Sequence, residues 1–166
     1  MTGNRIHNPS DKFFRASMHH PEVAHEFLTA HLPADIIDKM DFKSIEICPN
    51  TFIDEELKLT QSDVLVKCVI AGKECYIYIL AEHQSTQDQL MPFRLVKYIV
   101  KIWDYHLTKT EKKIKLPLPV IFPLVFYTGG NIYKGSRAIW ELCGHQSELM
   151  QRLWCEPFHL IDVNTI

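Results

Sequence analysis

The chain has 166 residues, 46% of them hydrophobic and 11% aromatic, enough to bury one ordinary core and to expect a single domain over 1–166. Its formal charge of −2 gives no general nucleic-acid signature, so any such role must rest on local clusters of basic residues. With no apolar run of membrane-span length and no basic-then-apolar leader in "MTGNRIHNPSDK", the chain is expected to be cytoplasmic, with no membrane partner. The five cysteines form no CxxC pair and sit mostly in apolar settings, such as Cys68 in "VKCVI", which reads as buried free thiols.

In chain order, Ser10 or Asp11 can cap a helical turn through "KFFRASM". "PEVAHEFLTAHL" follows as a helix begun by Pro21, with Val23, Phe27 and Leu28 as its apolar stripe. "ADIIDKM" reads as a short helical turn, "SIEIC" as a short strand, and "PNTFIDEELKLTQ" as an acidic connection. "SDVLVKCVI" and "CYIYILA" then flank a tight-turn signal at residues 71–74 and read as a β-hairpin. After the loop "STQDQLM", the segment "PFRLVKYIVKIWDYHL" predicts a helix whose buried stripe is Leu95, Ile99, Ile102 and Trp103, with Val96 and Val100 beside it. "LPVIFPLVFYTGG" reads as a central strand buried on both faces, although Pro123 implies an irregular or partly edge position. A helix around "RAIWELCGHQSELMQRLW" and a last strand "FHLIDV" complete the pass.

The hairpin carries the chemistry. Glu82 and Gln84 lie two apart at the end of a strand and share its face with Tyr76, Tyr78 and Leu80. If Ala71 faces Glu74 across the turn, or Ile70 faces Cys75 around a longer loop, Asp63 falls opposite Glu82. Two carboxylates so placed repel and need a cation or a shared proton. Separately, Asp63 reads as a strand-start residue bonding a nearby amide and Glu82 as an exposed strand end; neither is expected to be core. Together with Gln84 they mark the end of this strand as a candidate site.

Other candidates are weaker. His25 and His31 are six apart and diverge around their helix, which excludes the two-histidine zinc helix that needs a spacing of four. Gly129 and Gly130 lack the Lys and Ser/Thr of a phosphate loop and read as a turn. Lys109, Lys112, Lys113 and Lys115 form a basic cluster, and Arg94, Lys97, Tyr98 and Lys101 recur at helical spacing as a ridge directly after the hairpin. Such runs are commonly solvated faces; beside a metal site the ridge would face phosphates.

The resulting α-β-β-β-α-β order, with Asp63 beginning the second strand and Glu82, His83 and Gln84 ending the third, resembles the PD-(D/E)XK nuclease superfamily. More closely, "DKFFR", "HLP", "SDVL", "YIYILAEHQS", "PFRLVKYIVKIW" and "PLVFYTGG" resemble the recombination-promoting nuclease and transposase family, over nearly the whole chain. Ser10 departs from the His that this family often has before its Asp, and Ile166 looks like an end short of the family's variable C-terminal region.

The resemblance implies an α/β, restriction-endonuclease-like core with a mixed sheet flanked by helices. It also implies a DNA endonuclease that uses Mg²⁺, with Mn²⁺ as substitute. In that frame Asp63, Glu82 and the backbone carbonyl of His83 are the expected metal ligands, and Gln84 orients the attacking water or contacts the phosphate. Arg94, Lys97, Tyr98 and Lys101 are the expected DNA contacts. Cleavage of two strands would make a homodimer natural. The alternative is a non-cleaving DNA- or protein-binding module derived from a nuclease fold.

Overall fold

The computed structural model describes residues 9–49, 63–82, 88–108 and 116–163. Two helices, α1 (Pro9–Met18) and α2 (Pro21–His31), and a short turn of helix, α3 (Ala34–Ile37), lead into strand β1 (Met40–Ile47). The hairpin strands β2 (Val64–Ile70) and β3 (Lys73–Glu82) follow, then helix α4 (Met91–Thr108), strand β4 (Val120–Tyr127) and a C-terminal helix α5 (Ser147–Cys155). The strands form one mixed sheet in the order β1-β2-β3-β4, antiparallel except that β4 runs parallel to β3. This is the α-β-β-β-α-β arrangement expected, with helices on both faces.

The two-residue period of the strands divides the core. Val64, Val66, Cys68, Cys75, Ile77 and Ile79 project to one side, where they pack with Met18, Ala24 and Leu28 of the N-terminal helices. Phe14, Phe27 and Phe126 close this layer, with ring centroids 5.1–5.3 Å apart. Leu65, Tyr76, Tyr78 and Leu80 project to the other side, against Met91, Tyr98 and Ile102 of α4. Because both faces are covered, β3 reads as a nearly continuous apolar run. The Trp103 indole N–H donates to the Pro119 carbonyl at 2.9 Å and so ties α4 to the entry of β4.

Several expectations are corrected. In α2 the buried residues are Ala24 and Leu28, joined by Phe27, while Val23, one position off that face, is exposed. In α4 Tyr98 and Ile102 are the fully buried pair of the central turns, and Val100 points outward. Strand β1 starts at Met40, earlier than "SIEIC" suggested. Among the described strands β4 is outermost rather than central, consistent with Pro123, and its Val120 is exposed. The segment around 137–154 is not one helix but a 3₁₀ stretch, Ile139–Gln146, followed by α5, with Gly144 at φ 58°. "FHLIDV" forms no strand; Phe158, Leu160, Ile161 and Val163 are all exposed.

The thiols divide as well. Cys48, Cys68 and Cys75 are buried, whereas Cys143 and Cys155 are exposed, and none is in a disulfide. Burial pushes Cys48 up to about 11 and Cys68 to about 12, which keeps both protonated and unreactive at neutral pH. Among the described residues no helix is long and apolar enough to cross a membrane.

Candidate functional site

The hairpin turn fixes what the sequence left open. Ile70 pairs with Lys73 and Val64 with Ile79, so the turn residues are Ala71 and Gly72, at φ 50° and 75°. Positive φ at both central positions is the type I′ pattern that matches strand twist, normally filled by Asn-Gly or Gly-Gly. An alanine there gives no sequence cue, and the expected pairing is two residues out. Continued by one residue, the ladder sets Asp63 level with Leu80 rather than directly opposite Glu82. A shift of two preserves the face, however, so Asp63 and Glu82 remain on the α4 side of the sheet as diagonal neighbours.

Both carboxylates are buried: Asp63 is 0% exposed and Glu82 6%. This overturns the expectation that neither belongs to the interior. Among the described residues they are also the only charged side chains so buried. A carboxylate taken out of water demands hydrogen bonds or counter-charge, and each has a visible partner. The Tyr78 hydroxyl donates to Asp63 Oδ2 at 3.0 Å. Arg94 Nη1 donates to Glu82 Oε2 at 3.1 Å and to Asp88 Oδ2 at 2.8 Å. Burial works against the Arg94 charge, but Asp88 and Glu82 outweigh it and raise its pKa, so the guanidinium is cationic throughout the working range.

Tyr98 connects the two halves. Its ring centroid lies 4.8 Å from that of Tyr78. Burial and then the Asp63 charge raise its phenol, opposed by Arg94. Tyr78 is raised for the same two leading reasons, so both rings are neutral donors and acceptors here. From the opposite side, Arg15 of α1 donates to the backbone carbonyl of Asp63 and reaches the Cys48 carbonyl at 3.5 Å. Burial lowers the Arg15 pKa and Asp63 partly restores it. Past β4, the Gly129-Gly130 turn leads to Tyr133, whose ring meets that of Tyr127 at 5.3 Å. Its phenol is raised by burial and then by Asp88 and Glu82, so it borders the same cluster.

The basic ridge is not one surface. Arg94 is turned onto Glu82 and Asp88, and Tyr98 is 5% exposed against Tyr78. Lys97 is exposed, its ammonium 6.0 Å from the Phe93 ring centroid, and Lys101 is half-buried. In this structure Tyr98 packs in the interior, and Arg94 is the counter-ion of Glu82 and Asp88. The physical reason is the depth of Glu82, which draws the nearest guanidinium inward. His83 and Gln84 lie outside the described residues, as do the 50–62 connection and the basic cluster at 109–115. Ser10 and Asp11 fall within α1, which begins at Pro9.

Sequence reasoning missed three contributors. Asp88 sets the start of α4, its Oδ1 accepting the Leu90 N–H at 2.9 Å, and an acidic residue at a helix entry was a usable signal. Tyr78 was on the correct face but had no assigned role. Arg15 had no signal beyond its place in "DKFFR", because its partner is far along the chain.

The donor set suits a hard divalent cation. Two carboxylates supply the oxygen ligands that Mg²⁺ and Mn²⁺ favour, while the nearby thiol Cys48 is held protonated. Among the described residues no group of three or more His, Cys, Asp and Glu side chains is placed to hold a metal ion. Two carboxylates plus a carbonyl and waters would still meet the needs of Mg²⁺, which keeps several waters.

A mixed α/β core with a carboxylate pair at the end of its hairpin defines a restriction-endonuclease-like fold. Residues 8–166 match the family described as "Putative transposase, YhgA-like", and the chain belongs to it. Recombination-promoting nuclease RpnD of Escherichia coli O157:H7 is 30% identical over all of this chain and 63% of its own length. Recombination-promoting nuclease RpnA of Escherichia coli K12 is 33% identical, over 100% of this chain and 56% of the relative. The inactive recombination-promoting nuclease-like protein RpnE of the same strain is 30% identical, over 100% of this chain and 54% of its own. The chain thus spans somewhat over half the length of these curated relatives, and those named nucleases and the one named inactive are about equally similar to it. No solved structure matches the chain.

Proposed function

We propose that this chain is the nuclease domain of a metal-dependent DNA endonuclease acting in recombination or mobile-element biology. The observation that carries the proposal is the burial of Asp63 and Glu82 on one face of the sheet, in a fold that otherwise buries no charged side chain among the described residues. Such burial is costly for stability alone and is typical of sites where charge is used.

A bound Mg²⁺ or Mn²⁺ would neutralise the scissile phosphate and acidify an attacking water. Asp63 and Glu82 would hold it, with the His83 carbonyl as third protein oxygen. Tyr78 fixes the Asp63 carboxylate by its hydrogen bond, and Arg15 holds the backbone from which Asp63 projects. Gln84 would orient the water or bond the phosphate; an amide does either without acting as a base. The names of the relatives support a nuclease role in recombination, and DNA is the substrate such a role requires.

Lys97 and Lys101 remain as the phosphate contacts of α4. Changing both to Ala should weaken DNA binding at low salt and lower the slope of log K against log salt by about 0.9 for each phosphate that is no longer neutralised. An unchanged slope in a filter-binding titration would return this face to solvent.

A second reading, a non-cleaving binding module, is favoured by one observation: the Arg94 guanidinium lies 3.1 Å from Glu82 and neutralises its charge from within the fold. Incubation of supercoiled plasmid with Mg²⁺, Mn²⁺, Ca²⁺ or EDTA separates the two. Nicking with Mg²⁺ or Mn²⁺ and none with EDTA is expected. Retained DNA binding with no nicking under any condition would favour the module.

A further inference from the structure

We infer that Arg94 is a built-in competitor for the cation, a guanidinium that occupies Glu82 until a divalent ion displaces it onto Asp88. The inference rests on the proposed cation site and deepens it by assigning its control. Three observations converge. A single nitrogen, Nη1, lies 3.1 Å from Glu82 Oε2 and 2.8 Å from Asp88 Oδ2, so its two N–H groups span a buried carboxylate and a more exposed one. The Glu82 side chain is 8% exposed, against 27% for Asp88 and 25% for Arg94. Asp88 is itself anchored, since its Oδ1 accepts the Leu90 amide at the start of α4 while Oδ2 faces Arg94.

The consequence follows from size and charge. A Mg²⁺ ion sits about 2.0–2.1 Å from a carboxylate oxygen. A guanidinium at hydrogen-bond distance from that same oxygen would then stand a few ångströms from a dication, beside a carboxylate only 8% exposed, where the repulsion is weakly screened. One of the two must leave Glu82. Arg94 can do so without losing its charge partner, because Asp88 is already bonded to the same nitrogen. Arg94 therefore sets a threshold: at low divalent concentration the guanidinium keeps Glu82 neutralised, and cation binding moves it wholly onto Asp88.

The sign of each substitution distinguishes this role from a structural one. Arg94→Gln removes the competitor while keeping a hydrogen-bond donor for Glu82, and should tighten Mn²⁺ binding on the order of tenfold. Asp88→Asn removes the alternative seat, leaves Arg94 on Glu82, and should weaken Mn²⁺ binding. If Arg94 only shaped the site, both changes would weaken it. Mn²⁺ affinity is read directly by isothermal titration calorimetry and by the free-Mn²⁺ paramagnetic resonance signal, with Asp63→Asn as reference for loss of the site and circular dichroism to verify folding.

Opposite shifts for the two variants support the inference. Wild-type binding that Asp63→Asn abolishes, with Arg94→Gln equal to or weaker than wild type, overturns it and leaves the cation site standing. Equal affinities of wild type and Asp88→Asn also overturn it. If neither wild type nor Arg94→Gln binds Mn²⁺, the cation site falls and this inference with it.

Discussion

Asp63→Ala and Glu82→Ala should each cut plasmid nicking by at least about 10²–10³-fold, the loss typical when one stabilising group is removed from a reacting centre. The structure adds a complication that the sequence did not reveal, since both side chains are interior. Alanine at 63 removes the acceptor of the Tyr78 hydroxyl, a loss of about 1–3 kcal/mol for a buried group. Alanine at 82 takes away the deeper of the two carboxylates that hold Arg94 and leaves it on Asp88. Asp63→Asn and Glu82→Gln are therefore the cleaner pair. Each keeps an oxygen of similar shape and position, so folding should be retained while the charge that holds a divalent cation is lost. Nicking rates measured beside thermal melts would separate the two effects. Wild-type rates in folded Asp63→Asn and Glu82→Gln would remove these residues from the chemistry.

Mn²⁺ should raise the melting temperature of the wild-type protein and have much less effect on Asp63→Asn. A ligand present at one hundred times its dissociation constant stabilises the folded state by about 2.7 kcal/mol. For a domain of this size each kcal/mol moves the midpoint by about 2–4 °C, so the expected shift is about 5–10 °C. In EDTA, Asp63→Asn should match or exceed wild type. The basis is now burial: an amide at the same place accepts from Tyr78 without the cost of a desolvated charge. Direct opposition to Glu82, the reason the sequence suggested, does not apply in the observed register. A strongly destabilised Asp63→Asn in EDTA, together with an undiminished Mn²⁺ response, would make Asp63 a structural residue.

What the sequence revealed and what it hid follow from which quantities are periodic. The face on which Asp63 and Glu82 lie depends only on the parity of positions along a hairpin, and parity survives a pairing error of two. The register depends on the turn, and there Ala71 adopts a left-handed conformation that its type does not signal. The α4 stripe was legible as apolar, but helical spacing alone does not say which edge of a broad stripe faces inward, so Val100 turned out exposed and Tyr98 buried. Arg94 was legible as basic and adjacent to the site. Its inward turn was not, because it depends on the depth of Glu82, a tertiary property. Arg15 marks the limit of local reading: its role exists only once α1 has packed beside the start of β2.

Anomalous diffraction from crystals of the protein grown with Mn²⁺ would show whether the buried Asp63 and Glu82 carboxylates hold a divalent cation. A manganese peak in contact with both carboxylates is expected, with the Arg94 guanidinium withdrawn from Glu82. A map in which Arg94 still bridges Glu82 and Asp88 and no manganese touches Asp63, from a protein that nicks plasmid with the same Mn²⁺, would contradict it.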